Sequence, residues 1–435
     1  MTVCDTEVAA RNANDGGAPR PGCVITADGT YAARLARAGD SWFPERWTLD
    51  GPEPYAVPLP GNQPEEPGTE VLPISDGRVL IHRIAGGRHL FSLLYPTGPG
   101  TGELLLGAVE CRDPSDRVRL LPPAPRGGCA YALAVGRSSS VVWLVAGGAF
   151  GPERLAEVPG RCSGGVWLDG TGRMLALDRS LGGRTKTVVV DLEGGGSVSP
   201  LLQIAEDSDD RLLLADPDSG LLLIRSDAPS PGHRRLGWGV LGSTLPVRFP
   251  ECLRLRDCVV TPFAIQPGQV LTPESCAVAL RVDGAAGSWV GVWRPVERQV
   301  HHLAAPEGWL AGAGRWSRDG VLQLPYATGV VPCGVERVEV PGGVRECAPC
   351  ASARGGESAH ASVPTSMSTS TSTSTSTSTS TSTSADTPPS EPLPLPLPEL
   401  SEPVAARPVP LREAPLRGAG RRPHTPDGLV VPDLG

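Results

Sequence analysis

The sequence predicts an all-β protein, a β-propeller of seven blades, with six or eight as the alternative counts. A tight turn built on Asp-Gly, or on a related pair ending in Gly, returns along the first three quarters of the 435-residue chain, most often at intervals close to 48 residues. Each turn is followed by a short apolar run, and no run keeps a helical period over a dozen residues. A Gly-bearing turn and a strand repeated every ~40–50 residues are typical of a four-stranded propeller blade.

The turn residues have a structural role in this interpretation, because glycine takes the positive φ that such turns require. The blade-turn residues are Asp28, Gly29, Asp76, Gly77, Asp169, Gly170, Gly220, Asp319 and Gly320. Two further turns complete the series, one at Gly136, displaced from the regular spacing, and one at Pro267-Gly268. The sequence pattern assigns no catalytic or binding role to these residues.

Short apolar runs supply the strands of the seven blades in order. The first two blades comprise runs that begin at Cys23, Tyr31, Glu45 and Tyr55, and at Thr69, Val79, His89 and Glu103. The third has runs from Ala130, Val141 and Glu153, and the fourth, the clearest, from Gly165, Thr185 and Ser199. The last three begin at Leu212 and Leu221, at Val259, Ala277, Trp289 and Val300, and at Trp309, Gly314 and Val335.

Composition divides the chain into a flexible N-terminal arm (1–20), the propeller (21–346) and a disordered low-complexity tail (347–435). The Ser-Thr alternation at 368–384 buries no apolar surface that could offset backbone entropy. The Pro-Leu repeat at 392–398 predicts an extended polyproline spacer. We interpret the tail as a linker, with a phosphorylation target or an SH3-type ligand as alternatives. For its last thirty residues two interpretations stay open, a strand that closes the ring or the remnant of a longer ancestral protein.

The net charge of −8 at pH 7 argues against a nucleic-acid partner, because no basic face is available to release counterions from phosphates. Lys186 is the only lysine, and abundant Arg, Ala, Gly and Pro indicate a GC-rich coding sequence such as that of an actinobacterium. The N-terminal residues lack the features of a signal peptide, and no run of 18 apolar residues follows. We expect a cytoplasmic monomer without a membrane partner.

The sequence contains residue types that can bind metals, but they do not have the spacing of a metal site. The eleven cysteines lie mostly in or beside apolar strands and predict small buried side chains. Cys347-Ala-Pro-Cys350 is the only CxxC and has no second ligand pair. His301 and His302 are expected to point to opposite faces of a strand. The acidic run 206–210 lacks the Gly and terminal Glu of an EF-hand loop and predicts a solvated loop. The sequence predicts no metal and no cofactor.

Three blade phrases resemble known propellers: Ala-Asp-Gly-Thr-Tyr at 27–31, Leu-Asp-Gly-Thr-Gly-Arg-Met at 168–174 and Trp-Ser-Arg-Asp-Gly at 316–320. They resemble bacterial WD-like and Tol-type repeats, and are similar to the propeller that precedes the hydrolase domain of prolyl-oligopeptidase-family serine peptidases. The resemblance covers about residues 22–345. In that family the nucleophile lies in a Gly-x-Ser-x-Gly elbow of the hydrolase domain. The segment Gly-Arg-Ser-Ser-Ser at 136–140 lacks the closing Gly, so the resemblance implies no catalytic residue in this chain.

We therefore predict a non-catalytic propeller that binds an unidentified protein or peptide through its loops and channel. One alternative is the separated or truncated propeller of a prolyl-oligopeptidase-like hydrolase, which predicts an out-of-frame Gly-x-Ser-x-Gly region just downstream in the nucleotide sequence. The other is a propeller enzyme with acids and His or Arg around the axis. Its candidate residues are Asp178, Asp191 and Arg225, whose convergence is a matter of three-dimensional structure.

Overall fold

The computed structural model describes residues 22–340, except 112 and 114. In this part of the chain seven antiparallel sheets follow one another in sequence order, so the predicted seven-bladed propeller is confirmed. The predicted arm, the tail with its two repeats and CxxC motif, and residues 21 and 341–346 lie outside the described residues. No helix in the described part is long and apolar enough to cross a membrane.

The first four blades have four strands each. Blade 1 comprises β1 Val24–Ile25, β2 Tyr31–Ala38, β3 Ser41–Thr48 and β4 Tyr55–Pro58. Blade 2 comprises β5 Glu70–Pro73, β6 Val79–Ala85, β7 Arg88–Thr97 and β8 Gly100–Glu110. Blade 3 comprises β9 Arg117–Leu120, β10 Ala130–Val135, β11 Ser139–Ala146 and β12 Glu153–Pro159. Blade 4 comprises β13 Arg161–Trp167, β14 Met174–Leu181, β15 Arg184–Asp191 and β16 Ser197–Leu202.

The last three blades are less regular. Blade 5 comprises β17 Asp210–Ala215, β18 Leu221–Ser226 and β19 Arg235–Val240, and blade 6 comprises β20 Val259–Ile265, β21 Val278–Gly284, β22 Gly287–Trp293 and β23 His301–Leu303. Blade 7 comprises β24 Arg315–Trp316, β25 Val321–Tyr326 and β26 Gly334–Glu339. Two 3₁₀ turns, Glu251–Leu253 and Pro273–Ser275, interrupt the loops around β20. Trp309, expected in a strand, makes only an isolated bridge to Tyr326.

The first strands of neighbouring blades contact each other; for example, β1 contacts β5, and β17 contacts β20. The first strands therefore line the axis of the ring. Because every blade is an antiparallel meander, its turns lie alternately on two faces of the ring. The face that carries the turns between first and second strands is called the lower face. The upper face carries the turns between second and third strands and the connections between blades.

The core consists of seven hydrophobic clusters, one between each pair of adjacent blades. On β14, Leu175 and Leu177 pack toward blade 3, whereas Ala176 packs toward blade 5. Successive side chains of a strand point to opposite faces, and here both faces are covered by a neighbouring blade. This is why the second strands appear in the sequence as continuous apolar runs.

Buried and half-buried polar side chains add hydrogen bonds between blades. Each bonds to a backbone N–H or C=O on the first strand of the following blade. The pairs are Glu70 Oε2 with Leu120 N–H (2.8 Å), Ser140 Oγ with Cys162 N–H (2.8 Å), Asp178 Oδ1 with Leu212 N–H (3.0 Å) and Arg225 Nη2 with Val260 O (3.4 Å).

The cysteines follow the expectation of buried side chains in part. Among the described cysteines all are free thiols, and Cys23, Cys162, Cys276 and Cys333 are buried. Burial raises the pKa of Cys23 and Cys333 to about 12. A thiol with so high a pKa is unreactive near neutral pH, so these residues serve as small apolar side chains.

Candidate functional site

The predicted turn residues occupy separate turns on the lower face. Gly29, Gly77, Gly220 and Gly320 all have positive φ, between 72° and 84°. The Asp28 carboxylate accepts the Thr30 N–H (3.0 Å), and the equivalent Asp76 carboxylate accepts the Arg78 N–H (3.0 Å). Each aspartate thus closes its own turn, and these residues do not form a common site.

Two predicted turns differ from the structure. In blade 4 the positive φ belongs to Gly172 (76°) rather than Gly170. The reason is that the Asp169 carboxylate accepts the N–H groups of Thr171 and Met174 (both 2.7 Å) and carries the first part of the bend. In blade 3 Gly136 lies between β10 and β11 on the upper face. The lower-face turn of that blade uses Gly127, with φ 70°.

A cavity of about 770 Å³ opens on the upper face beside blades 5 and 6. One wall is the turn between β18 and β19, and the other is the connection from blade 5 to β20. Four arginines and two aspartates line it, namely Arg225, Arg234, Arg235, Arg254, Asp209 and Asp227. The lining therefore carries an excess of positive charge in a protein whose net charge is −8.

Most of these charged groups are engaged within the protein. The Asp209 carboxylate accepts the Thr185 N–H (2.8 Å), and the Asp227 carboxylate accepts the Asp209 N–H (2.7 Å). Arg235 donates to Glu251 Oε1 (2.7 Å) and to the Phe249 carbonyl (3.1 Å). These bonds hold the two walls of the cavity in place.

Arg225 and Arg254 have no carboxylate within ion-pair distance among residues 22–340 that the structure describes, and Arg254 is exposed. The Arg225 side chain is half-buried and donates to the Val260 carbonyl at 3.4 Å. Burial lowers the pKa of Arg225, and the positive charges of Arg234 and Arg211 lower it further. Arg225 is thus a cation in the cavity wall without a direct counterion.

The axial candidates converge in part. Asp178 is 5% exposed, and its Oδ1 accepts hydrogen bonds from Thr187 Oγ1 (2.8 Å) and Leu212 N–H (3.0 Å). Arg211 Nη1 lies 3.7 Å from Asp178 Oδ2, and Arg211 is the register partner of Arg225 on the next strand. Asp178 and Arg225 therefore belong to one cluster. Asp178 is closed off from solvent, and the hydrogen bond that it accepts from the Leu212 N–H joins blade 4 to blade 5.

Asp191 does not join this cluster. It lies at the opposite end of the β14–β15 hairpin, where both its oxygens accept hydrogen bonds from Arg173 (2.8 and 2.5 Å). The hydrogen bond from Arg173 lowers the pKa of Asp191 to about 2. Asp191 is therefore an ion-paired residue of the lower face.

The ionisation of Asp178 should make stability depend on pH. Burial raises its pKa from 3.8 to about 6, so the folded protein binds a proton that the unfolded chain has released between these values. Stability from this group is thus highest below about pH 4 and falls by roughly 3 kcal/mol as pH rises through 6. Urea unfolding at several pH values should show this slope in the wild type and its loss in Asp178→Asn. Parallel curves for the two proteins would contradict it.

Two buried histidines, His82 and His89, form a hydrogen-bonded chain with Glu70 that the sequence pattern did not indicate. His82 Nδ1 lies 3.1 Å from Glu70 Oε2, and His82 Nε2 lies 2.9 Å from His89 Nδ1. Burial lowers the pKa of His89, and the neighbouring His82 lowers it further. His82 and His89 lie seven residues apart on neighbouring strands β6 and β7, and the pairing of the strands brings them together. In the described part of the chain no set of three or more potential ligands has the arrangement of a metal site.

His301 and His302 have separate partners, Glu297 (3.2 Å) and the Trp289 indole N–H (2.8 Å). The acidic run 206–210 is not a fully solvated loop as predicted. Asp210 is completely buried and accepts hydrogen bonds from Lys186 (2.8 Å) and Ser226 (2.6 Å). The only lysine of the chain is used to neutralise this aspartate.

Comparison with known proteins gives a likeness of fold. No family model and no curated protein matches the chain. Among solved structures, it is similar to a putative TolB from Agrobacterium tumefaciens, with 17% identity, a TM-score of 0.37, and coverage of 53% of this chain and 79% of that one. Prolyl oligopeptidase B from Galerina marginata shows 12% identity and a TM-score of 0.45, over 73% of this chain and 47% of that one.

An oligogalacturonate lyase from Vibrio parahaemolyticus shows 10% identity and a TM-score of 0.49, over 73% of this chain and 88% of that one. The TolB and prolyl oligopeptidase matches agree with the resemblance seen in the blade phrases. At such low identity the likeness concerns the propeller fold alone. What this chain binds has to be argued from its own residues.

Proposed function

We propose that this protein is a recognition propeller that binds a protein or peptide partner in the upper-face cavity beside blades 5 and 6. The observation that supports this function is the cavity itself, whose volume of about 770 Å³ lies within the range of ligand-binding clefts. Its walls are loops, and loops held on a rigid scaffold are where propellers present recognition groups.

The scaffold under the cavity is well packed. Leu236 and Leu253, which line it, are also members of the hydrophobic cluster between blades 5 and 6. The Asp209–Thr185 and Asp227–Asp209 hydrogen bonds hold the upper-face loops against blade 4. A partner would therefore meet preformed walls, which lowers the entropy lost on binding.

Site-specific photo-crosslinking tests this function. A benzophenone amino acid at Ser230, in the cavity wall, should capture a discrete partner in extracts of the native host. The same amino acid at Asp40, fully exposed on the blade 1 turn of the same face, serves as the control and should not capture it.

The captured protein, once purified, should bind the wild-type propeller and lose affinity for Ser230→Trp, whose indole would occupy the cavity. Identical crosslinks at both positions, or unchanged affinity for Ser230→Trp, would count against the proposal. Measured turnover of a substrate with no partner recovered would favour the enzymatic alternative.

A further inference from the structure

We propose that the cavity binds a carboxylate next to an apolar side chain, and that Arg225 is the residue that receives the carboxylate. This inference rests on the proposed function of the same cavity and adds the chemical class of the ligand. The carboxylate has two sources in a peptide, an acidic side chain or the C-terminus.

The first argument is the arrangement of charge. Arg225 and Arg211 are directly opposed on neighbouring strands β18 and β17, and like charges in this position repel each other. Asp178 is within ion-pair distance of Arg211, at 3.7 Å, and its charge acts on Arg225 only from farther away. Arg225 therefore faces the cavity without a matching carboxylate, and a half-buried cation without one is poorly stabilised. A ligand carboxylate would supply the missing counterion with charge-assisted hydrogen bonds.

The second argument is the valence of the anion. Asp209 and Asp227 remain in the cavity wall, where they would repel a doubly charged phosphate more strongly than a singly charged carboxylate. The planar guanidinium also matches the two oxygens of a carboxylate in a bidentate geometry. The lining therefore favours a monoanion.

The third argument is the apolar part of the lining. Leu236, Leu253, Leu255 and Val260 lie on the same cavity, and Val260 also provides the carbonyl that orients Arg225. An apolar side chain beside the ligand carboxylate would bury surface against this wall. Charge and apolar surface together define the ligand as a carboxylate with an apolar neighbour.

Peptide titrations on the full-length protein test the inference. An acetylated, amidated hexapeptide with Glu followed by Leu between alanines is compared with the same peptide containing Gln. A second pair carries Leu at its C-terminus, either with a free carboxylate or amidated. We expect one acidic member to bind at least about tenfold more tightly than its neutral partner, and more weakly at high salt. The pair that shows the difference identifies the source of the carboxylate.

Variants assign the effect to Arg225. Arg225→Gln should remove the preference for the acidic peptide, whereas Arg225→Lys should retain part of it. Arg254→Glu, at an exposed position of the cavity wall, should weaken acidic peptides by repulsion without touching the core. Arg281→Gln is the control, because Arg281 is paired with Asp283 in blade 6 and does not line the cavity.

The outcomes separate this inference from the proposed function. Equal binding of acidic and neutral peptides, abolished by Ser230→Trp, would overturn the carboxylate assignment and leave the recognition function in place. Stronger displacement of the acidic peptide by inorganic phosphate than by acetate would also overturn the assignment. A crosslinked partner that is indifferent to Ser230→Trp would remove the function itself.

Discussion

Replacing Trp47 by alanine should reduce the free energy of unfolding by about 3–5 kcal/mol. The side chain is completely buried, in the cluster that joins blade 7 to blade 1 together with Cys23, Ala313 and Cys333. Its loss would leave a cavity at the interface that closes the ring.

The polar edge of Trp47 adds to this effect. The indole N–H donates to Glu45 Oε2 (2.8 Å), which also accepts from Arg34 Nε (2.6 Å). The Arg34 guanidinium lies 5.0 Å from the ring centroid. Alanine would remove both the hydrogen bond and the cation–π contact while the buried Glu45 carboxylate remains.

Urea denaturation followed by circular dichroism measures this loss, and Trp42→Ala is the matched control. Trp42 lies on the same strand but is only half-buried, with Arg37 stacked at 5.9 Å. We expect the control to lose about 1 kcal/mol or less. A loss of about 1 kcal/mol or less for Trp47→Ala as well would show that the blade 7–blade 1 interface contributes little to stability.

Gly308→Ala should also be strongly destabilising, by about 3–5 kcal/mol. Gly308 has φ 72°, and a Cβ atom there would lie 2.2 Å from the Ala327 carbonyl oxygen. That oxygen belongs to the backbone, and Ala327 N–H in turn donates to the Gly308 carbonyl (2.9 Å). The overlap can therefore be relieved only by separating two hydrogen-bonded segments of blade 7.

Gly39→Ala isolates the part of this effect that comes from φ alone. Gly39 has φ 60° in the β2–β3 turn, and a Cβ atom there would meet no atom within 4 Å. Its expected loss is about 1–2 kcal/mol, the cost of placing an L-residue in the left-handed region. A Gly308→Ala protein as stable as Gly39→Ala would contradict the close approach at Ala327.

Elements whose pattern is local were predictable. The turns at Gly29 and Gly77 and the hairpin from Met174 to Asp191 follow from glycine conformation and apolar runs within a few residues. The first strand of blade 3, Arg117–Leu120, was missed because four residues are too few for their alternation of arginine and apolar side chains to stand out as a strand. In the structure this strand pairs with β10 near the axis.

The candidate site was predictable only in fragments. Arg225 and Asp178 were singled out as axial residues, Asp209 was noted only as part of an acidic run, and Arg254 carried no signal. No local pattern indicates that loops from different blades enclose a common volume, because their approach is set by the packing of whole sheets.

The sequence by itself indicated seven blades, with six or eight left open, and the order of most strands, since turn chemistry and apolar runs act over short distances along the chain. Only the tertiary structure decided which charges meet. In the structure Arg225 lies opposite Arg211, and Asp178 lies next to Arg211. Asp191 lies on the other face, where it is paired with Arg173. Electrostatic partners depend on distances of a few ångströms between segments remote in sequence, and the closing of the ring sets those distances.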